Sequence, residues 1–321
     1  MSMKVRIILG VERKIIMKEI LTASNFLFVL ALTLERFPSK RAGADSFNYL
    51  IVILALEVFY MFCVVFISNK EKIQRISQVT AIILGQLILW EVITTKLDLV
   101  DSLLLPSPSI IFSLFIAELP VLLKSFLVSI HLLFAGYALA LILAVPFALV
   151  IGWRERVYKA VNPFTKVLAA VPSIIYIPYA IAVLPTFKAE SIFIIFVGAF
   201  WPVFIHTLKG VFNVEKEIID NTERLNSHSK FILFQIILHR TLPSIMSGAA
   251  IGLAFSFILL IAIEMTTKTS GLGCYVKCFS DFADYPRVMV GTIFIGIVVA
   301  AIIFILSTIQ NYLRKLINEV Y

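Results

Sequence analysis

The chain has 321 residues, of which 60% are hydrophobic and only 15% charged, and its mean hydropathy is +0.98. A soluble domain is about 45–50% apolar and about 25% charged. The composition therefore points to an integral membrane protein and excludes a disordered chain, a secreted disulfide scaffold and a free nucleic-acid binder.

The net charge of +8 reads as the basic bias of cytoplasmic loops. A helix crossing the hydrocarbon core needs about 20 apolar residues, so the gaps between charges locate the spans. Lys4 to Lys18 mixes Val5, Ile8, Leu9, Ile15 and Ile16 with basic residues at near-helical spacing and is expected to lie on the inner membrane surface. Ile20–Leu34 is the first expected span. It is read as retained, not as a cleaved signal, because Thr22, Ser24 and Asn25 dilute it and Glu35-Arg36-Phe37-Pro38 is a poor cleavage site. Two further spans follow between Asp45 and Lys70, carrying Glu57, and over Ile76–Thr95, carrying Glu91.

Five uncharged stretches come next: Ser125–Trp153, Val167–Phe187, Ser191–Leu208, Thr241–Ile263 and Val288–Leu313. The expected total is eight spans, with both termini on one side. Nineteen Lys and Arg residues fall on the side of the termini and nine on the other, which makes the termini cytoplasmic. Residues 1–75 are expected to form an N-terminal amphipathic segment and an extra hairpin. Residues 76–118 are a connecting helix and outer segment, and 119–321 a transport core with a cytoplasmic loop at 209–242.

That loop is long for a mere connection. Glu215 to Asn221 opens like a helix, with acids in the first turn. Ile218, Ile219 and Leu225 form an apolar stripe, and Glu217, Asp220 and Arg224 share the other face. Asn226 suits a helix-ending turn, and Ser227 caps a second short helix. Two short helices joined by a sharp turn suit a connection or a docking surface for a cytoplasmic partner.

The chain has no His-Glu-x-x-His, Gly-x-Ser-x-Gly or phosphate-loop motif. Cys274 and Cys278 stand four apart in an expected polar loop without a His or carboxylate ligand set, so no metal site is expected. His131 is the one histidine deep in a span, either a bundle hydrogen-bond donor or a substrate contact. Glu264 lies near an outer helix end. The five strong spans have no acid at mid-depth, which disfavours an ion-coupled carrier. Pro146, Pro172, Pro178 and Pro202 interrupt these spans, with Tyr176, Tyr179, Phe200 and Trp201 beside them. Ordinary kinked packing explains that pattern, and so does a gated aromatic pathway. Under the second reading His131, Pro172, Tyr176, Pro178, Phe200, Trp201 and Glu264 are its candidates.

From about Trp90 onward the chain resembles the permease subunits of bacterial ATP-binding-cassette importers of the nitrate/sulfonate/taurine type. The resemblance rests on landmarks in order: Leu105-Pro106-Ser107-Pro108, Val145-Pro146, Val171-Pro172 with Pro178, Gly198-Ala199-Phe200-Trp201-Pro202, Leu242-Pro243 with Gly248, Glu264-Met265 and Ser270-Gly271-Leu272-Gly273. The family's Glu-Ala-Ala loop motif keeps its spacing but not its residues. Asp220 takes the Glu place, Asn221 and Thr222 the Ala places, Asn226 the Gly place and His239 that of an upstream Pro.

The resemblance implies an all-α membrane fold with a five-helix core after three N-terminal helices. It implies a non-enzymatic subunit without a cofactor of its own, with ATP and Mg bound by partner ATPase subunits. Those would dock at Glu217, Asp220, Asn221, Thr222, Arg224, Asn226 and His228. It further implies a second permease copy, an outer substrate-binding protein, a bacterial cytoplasmic membrane, and no nucleic acid. The substrate would be a small solute of sulfonate, nitrate, taurine or vitamin-precursor type. A self-contained secondary carrier or channel is the alternative.

Overall fold

The computed structural model describes residues 23–41, 46–67, 69–214 and 236–320. Ten α-helices and no strand occur among them: α1 Ala23–Glu35, α2 Ser46–Phe66, α3 Lys70–Glu91, α4 Pro108–Trp153, α5 Glu155–Ala170, α6 Ile177–Val183, α7 Phe187–Phe212, α8 Leu238–Thr267, α9 Leu272–Asp281 and α10 Tyr285–Val320. A π-helical turn, Val92–Lys96, continues α3, and a 3₁₀ turn, Ser173–Tyr176, precedes α6. The chain divides into two compact units, Met1–Leu119 with Ala283–Val290, and Pro120–Phe282 with Gly291–Tyr321.

In the first unit, α1 and α2 close on α3 around Ala31, Tyr49, Ile53, Leu84 and Ile88. Polar contacts fix the register where apolar packing alone is non-directional. Ser24 Oγ donates to the Ser77 carbonyl at 2.7 Å. Asn69 caps α3 by accepting from the Glu71 and Lys72 amides at 3.0 and 3.4 Å. Arg41 is buried, with Nε on Asp98 at 2.8 Å and further bonds to the Leu105 and Val100 carbonyls. Lys96, at the end of the π-helical turn, donates to the Phe37 carbonyl at 2.9 Å. Arg287 bridges Glu118 at 2.8 Å and Asp284 at 2.5 Å.

The second unit is organised by α7 and α8, which are adjacent along much of their length. Gly248 and Gly252 stand four apart on α8. A Cβ at Gly248 would lie 2.7 Å from His206 Cβ and 3.0 Å from the Pro202 carbonyl, and one at Gly252 would lie 3.1 Å from the Ala199 carbonyl. Only glycine lets the backbones approach so closely, the arrangement that favours association of membrane helices. Ser256 Oγ adds a bond to the Ile195 carbonyl at 3.0 Å, and Tyr137 of α4 donates to the Ala249 carbonyl at 2.8 Å.

Among the described residues six helices are long and apolar enough to cross a membrane, or seven if one bent pair counts as a span. The expectation of eight is thus not met by length and composition. The described part of the first expected span is the 13-residue α1, about 20 Å of helix against a hydrocarbon core of about 30 Å. The expected fifth span, Val167–Phe187, with its two prolines, falls on the bent pair: α5 and the segment Ser173–Val183 meet at 74°. The cause is local. The helical region is disfavoured for a residue before proline, and here Val171 and Pro172 are both extended, with ψ near 120°. Pro178 lies in the first turn of α6, where a missing N–H costs little, so it starts a helix and does not bend one. Pro146 and Pro202 sit inside uninterrupted helices. Cys274 and Cys278 lie on α9, not in a loop.

A paired substitution tests the close α7–α8 approach. Gly248→Ala forces His206 and the Pro202 backbone apart and should cost about 1–3 kcal/mol. Gly85→Ala on α3, where nothing lies within 4 Å of the added methyl, should be neutral or stabilise by up to about 1 kcal/mol. Thermal unfolding of the two variants in detergent checks the difference.

Candidate functional site

The break at Val171–Pro172 opens a cavity of about 490 Å³ between the broken segment, α7 and α8. Val171, Pro172, Ser173 and Ile174 form one wall, Trp201, Pro202 and His206 the second, and Ile251, Phe255 and Ile258 the third. Phe255, Ile258 and Ile174 are exposed, so a large part of this wall is open and apolar. His206 is the one ionisable side chain in the lining. The cavity thus combines an apolar body with a few polar groups, the usual character of a small-molecule site.

Of the sequence candidates, Pro172 and Trp201 meet here. Phe200, next to Trp201, stacks on Phe204 with ring centroids 5.6 Å apart and lies outside the lining. Tyr176 packs on the cluster of Ile177, Ile194 and Ile263. Pro178 and His131 are exposed and line no part of the cavity. His206 and Phe255 were not among the candidates. His206 was visible only as a second scattered histidine, and Phe255 carried no signal beyond helical hydrophobicity. Glu217, Asp220, Asn221, Thr222, Arg224, Asn226 and His228 lie outside the described residues.

Glu264 belongs to a separate polar knot. Its carboxylate is buried, accepts from Ser129 Oγ at 2.6 Å, and accepts from the Gly273 amide at 2.8 Å. Ser129 Oγ in turn accepts from the Leu272 amide at 2.9 Å. A helix N-terminus presents unpaired N–H groups and a partial positive charge, so Glu264 and Ser129 cap α9 from two other helices. Gly271 makes room for this. Its φ is +106°, and a Cβ there would fall 2.1 Å from a Glu264 oxygen. On α9 itself the Cys274 and Cys278 sulfurs lie 3.5 Å apart as free thiols. Burial, aided by the Cys278 contact, pushes the Cys274 thiol up to about 11, so it stays protonated and unreactive near neutral pH.

Loss of the capping carboxylate has a defined cost. Glu264→Ala strands the Gly273 amide and the Ser129 hydroxyl, and should destabilise by about 2–4 kcal/mol. Glu264→Gln keeps one acceptor and should cost about half as much. Thermal unfolding of the two variants in detergent gives the ordering. An equal effect of the two would remove the capping role.

The family model for the binding-protein-dependent transport system inner membrane component matches residues 136–319. The nitrate import permease protein NrtB of Leptolyngbya laminosa is 29% identical over 164 residues, covering 51% of this chain and 58% of that protein. The bicarbonate transport system permease protein CmpB of a Synechocystis species is 26% identical over 183 residues, covering 57% and 64%. A putative ABC transporter permease of Methanocaldococcus jannaschii is 24% identical over 239 residues, covering 72% and 87%. The chain thus spans less than two thirds of the nitrate and bicarbonate permeases it matches. With more than half of its length matched by the family model, this chain belongs to the binding-protein-dependent transport system inner membrane components, as a non-catalytic, multi-pass ABC transporter permease subunit.

Proposed function

We propose that the chain forms the translocation pathway of an ATP-driven importer for a small solute. The observation that carries this reading is the cavity at the proline break, set within the stretch that the family model covers. Its open wall of Ile174, Phe255 and Ile258 suits closure by a second permease copy, identical or homologous. An outer binding protein delivers the solute, and two ATPase subunits dock on the loop at 209–242 and supply ATP and Mg chemistry. The relatives named for nitrate and bicarbonate import support a small anion or a compact polar solute as cargo. Sulfonates, taurine and vitamin precursors fit the same size class.

Orientation follows from charge. Counted over eight spans, with α1 and the bent pair each taken as one, the 19-to-9 distribution of Lys and Arg supports both termini in the cytoplasm. The one exception in the count, the loop with Arg36, Lys40 and Arg41, is weakened because Arg41 is buried and bound internally. Under this reading α5 and the coupling loop share the cytoplasmic side, and α9 with its capped N-terminus lies outside.

Two experiments test the proposal. Trp201→Ala widens the cavity beside a backbone break and should change the uptake rate in proteoliposomes by about tenfold or more while assembly persists. Normal uptake by an assembled variant would return Trp201 to packing. The docking role rests on the expectation from the sequence that Glu217, Asp220 and Arg224 share one helix face. Asp220→Lys should cost about 2–5 kcal/mol of ATPase binding if that face is desolvated in the complex. Retention of the ATPase through purification measures this, and wild-type retention in both Asp220→Lys and Arg224→Glu would remove docking from this face.

A further inference from the structure

Helix α5 carries a polar stripe that leads into the Trp201 cavity. Glu155, Lys159, Asn162 and Lys166 recur at steps of four, three and four residues, so they lie one above another on one face of the helix. Ala169 and Ala170, three and four residues past Lys166, continue that face and line the cavity. The other two faces have different surroundings. Tyr158 and Val161 pack on the cluster of Ala144, Val203, Phe204 and Leu208, and Tyr158 stacks on Phe212 with ring centroids 4.0 Å apart. Val157, Phe164, Val167 and Leu168 form a separate exposed apolar face, which suits lipid.

This division decides what the stripe faces. Charged side chains in membrane-embedded helices turn to the bundle interior or to water-filled space. The lysines of α5 follow that rule: they share the face of the cavity-lining alanines, not the face of Phe164 and Val167. Charge along the stripe is uneven. Lys159 binds the Glu155 carboxylate at 2.8 Å, which cancels much of its field. Lys166 is exposed, and no carboxylate among the described residues forms an ion pair with it. It stands about one helical turn from Ala170. The cavity lining itself holds no lysine or arginine. A cation beside the mouth raises the local concentration of anions, and the lack of one inside avoids an ion pair that would trap the solute.

We infer that Lys166 is the charge-selecting residue of the pathway, and that the pathway carries small anions. This role rests on the reading of the cavity as the translocation pathway, to which it adds the sign of the cargo. Lys166 draws an anion toward the cavity, where Ser173 and His206 offer hydrogen-bond donors. A cationic solute is repelled at the same point, so one side chain both attracts and rejects.

The potential inside the cavity can be read without knowing the cargo. Ser173→Cys, in a chain cleared of Cys63, Cys274 and Cys278 and assembled in detergent with its ATPase subunits, is reacted with two methanethiosulfonates of similar size. One bears a sulfonate and the other a trimethylammonium group, and each rate is divided by that with free β-mercaptoethanol. The sulfonate reagent should be favoured by about tenfold or more. Lys166→Arg should keep the preference, Lys166→Gln should remove most of it, and Lys166→Glu should reverse it. Arg156→Gln, off the stripe, should leave it unchanged. Lys166→Ala replaces Lys166→Gln should the latter fail to assemble. Equal normalised rates in Ser173→Cys alone, or a preference that survives Lys166→Gln, would overturn the role of Lys166 and leave the pathway reading standing. Failure of both reagents to reach Ser173→Cys would overturn the pathway reading, and the role of Lys166 with it.

Discussion

The close approach of α7 and α8 at Gly248 and Gly252 is the constraint on which the rest of the core depends. At Gly248 the two helices meet with no side chain between them and the Pro202 carbonyl. That contact sets the rotation of α7, and with it where Trp201, Pro202 and His206 point. In an apolar surrounding, helices gain little from hydrophobic contact and must find close packing or hydrogen bonds. Both occur here: the glycine contact, and the Ser256 and Tyr137 bonds to carbonyls across helices. The broken segment at Pro172 then has a fixed wall to face, and the cavity is what remains between them.

A second constraint acts at the other end of α8. A helix that starts in a mostly apolar setting needs partners for its first N–H groups. Glu264 and Ser129 supply them for α9, and Gly271 supplies the left-handed turn that lets the carboxylate in. Sequence reading marked Glu264 as an isolated intramembrane acid and placed it among pathway candidates. Its neighbours show a capping carboxylate, satisfied on both oxygens. An acid in a membrane helix is thus not by itself a transport residue, and the test is whether its oxygens are occupied. By that test both oxygens of Glu264 are spoken for, while one oxygen each of Glu35, Glu57 and Glu91 has no hydrogen-bond partner among the described residues.

Much of the helical plan was legible from charge spacing, because a lysine or arginine is costly at mid-membrane and marks where a span ends. What charge spacing measures is apolar length, not helix length. Helix α4 runs from Pro108 through Glu118 and Lys124 to Trp153, and Glu118 is tolerated because Arg287 binds it. The break at Val171–Pro172 was legible as a proline signal, but its size was not. A 74° turn depends on both residues being extended, which neighbouring packing selects. The Glu264–Ser129 pair joins residues 135 apart in sequence, and no local pattern encodes such a contact. Gly248 and Gly252 carried the small-residue spacing in plain view, yet spacing alone does not name the facing helix.

The pathway reading rests on one claim, that the solute passes the cavity bounded by the proline break and α7. Ser173 is small, lines that cavity and sits directly after Pro172. The most direct measurement places a single cysteine there, Ser173→Cys, in a chain cleared of Cys63, Cys274 and Cys278 and reconstituted with its ATPase and binding protein. A bulky thiol reagent attached at that position should abolish ATP-driven uptake while leaving the assembled complex intact. Full modification with undiminished uptake would contradict the claim.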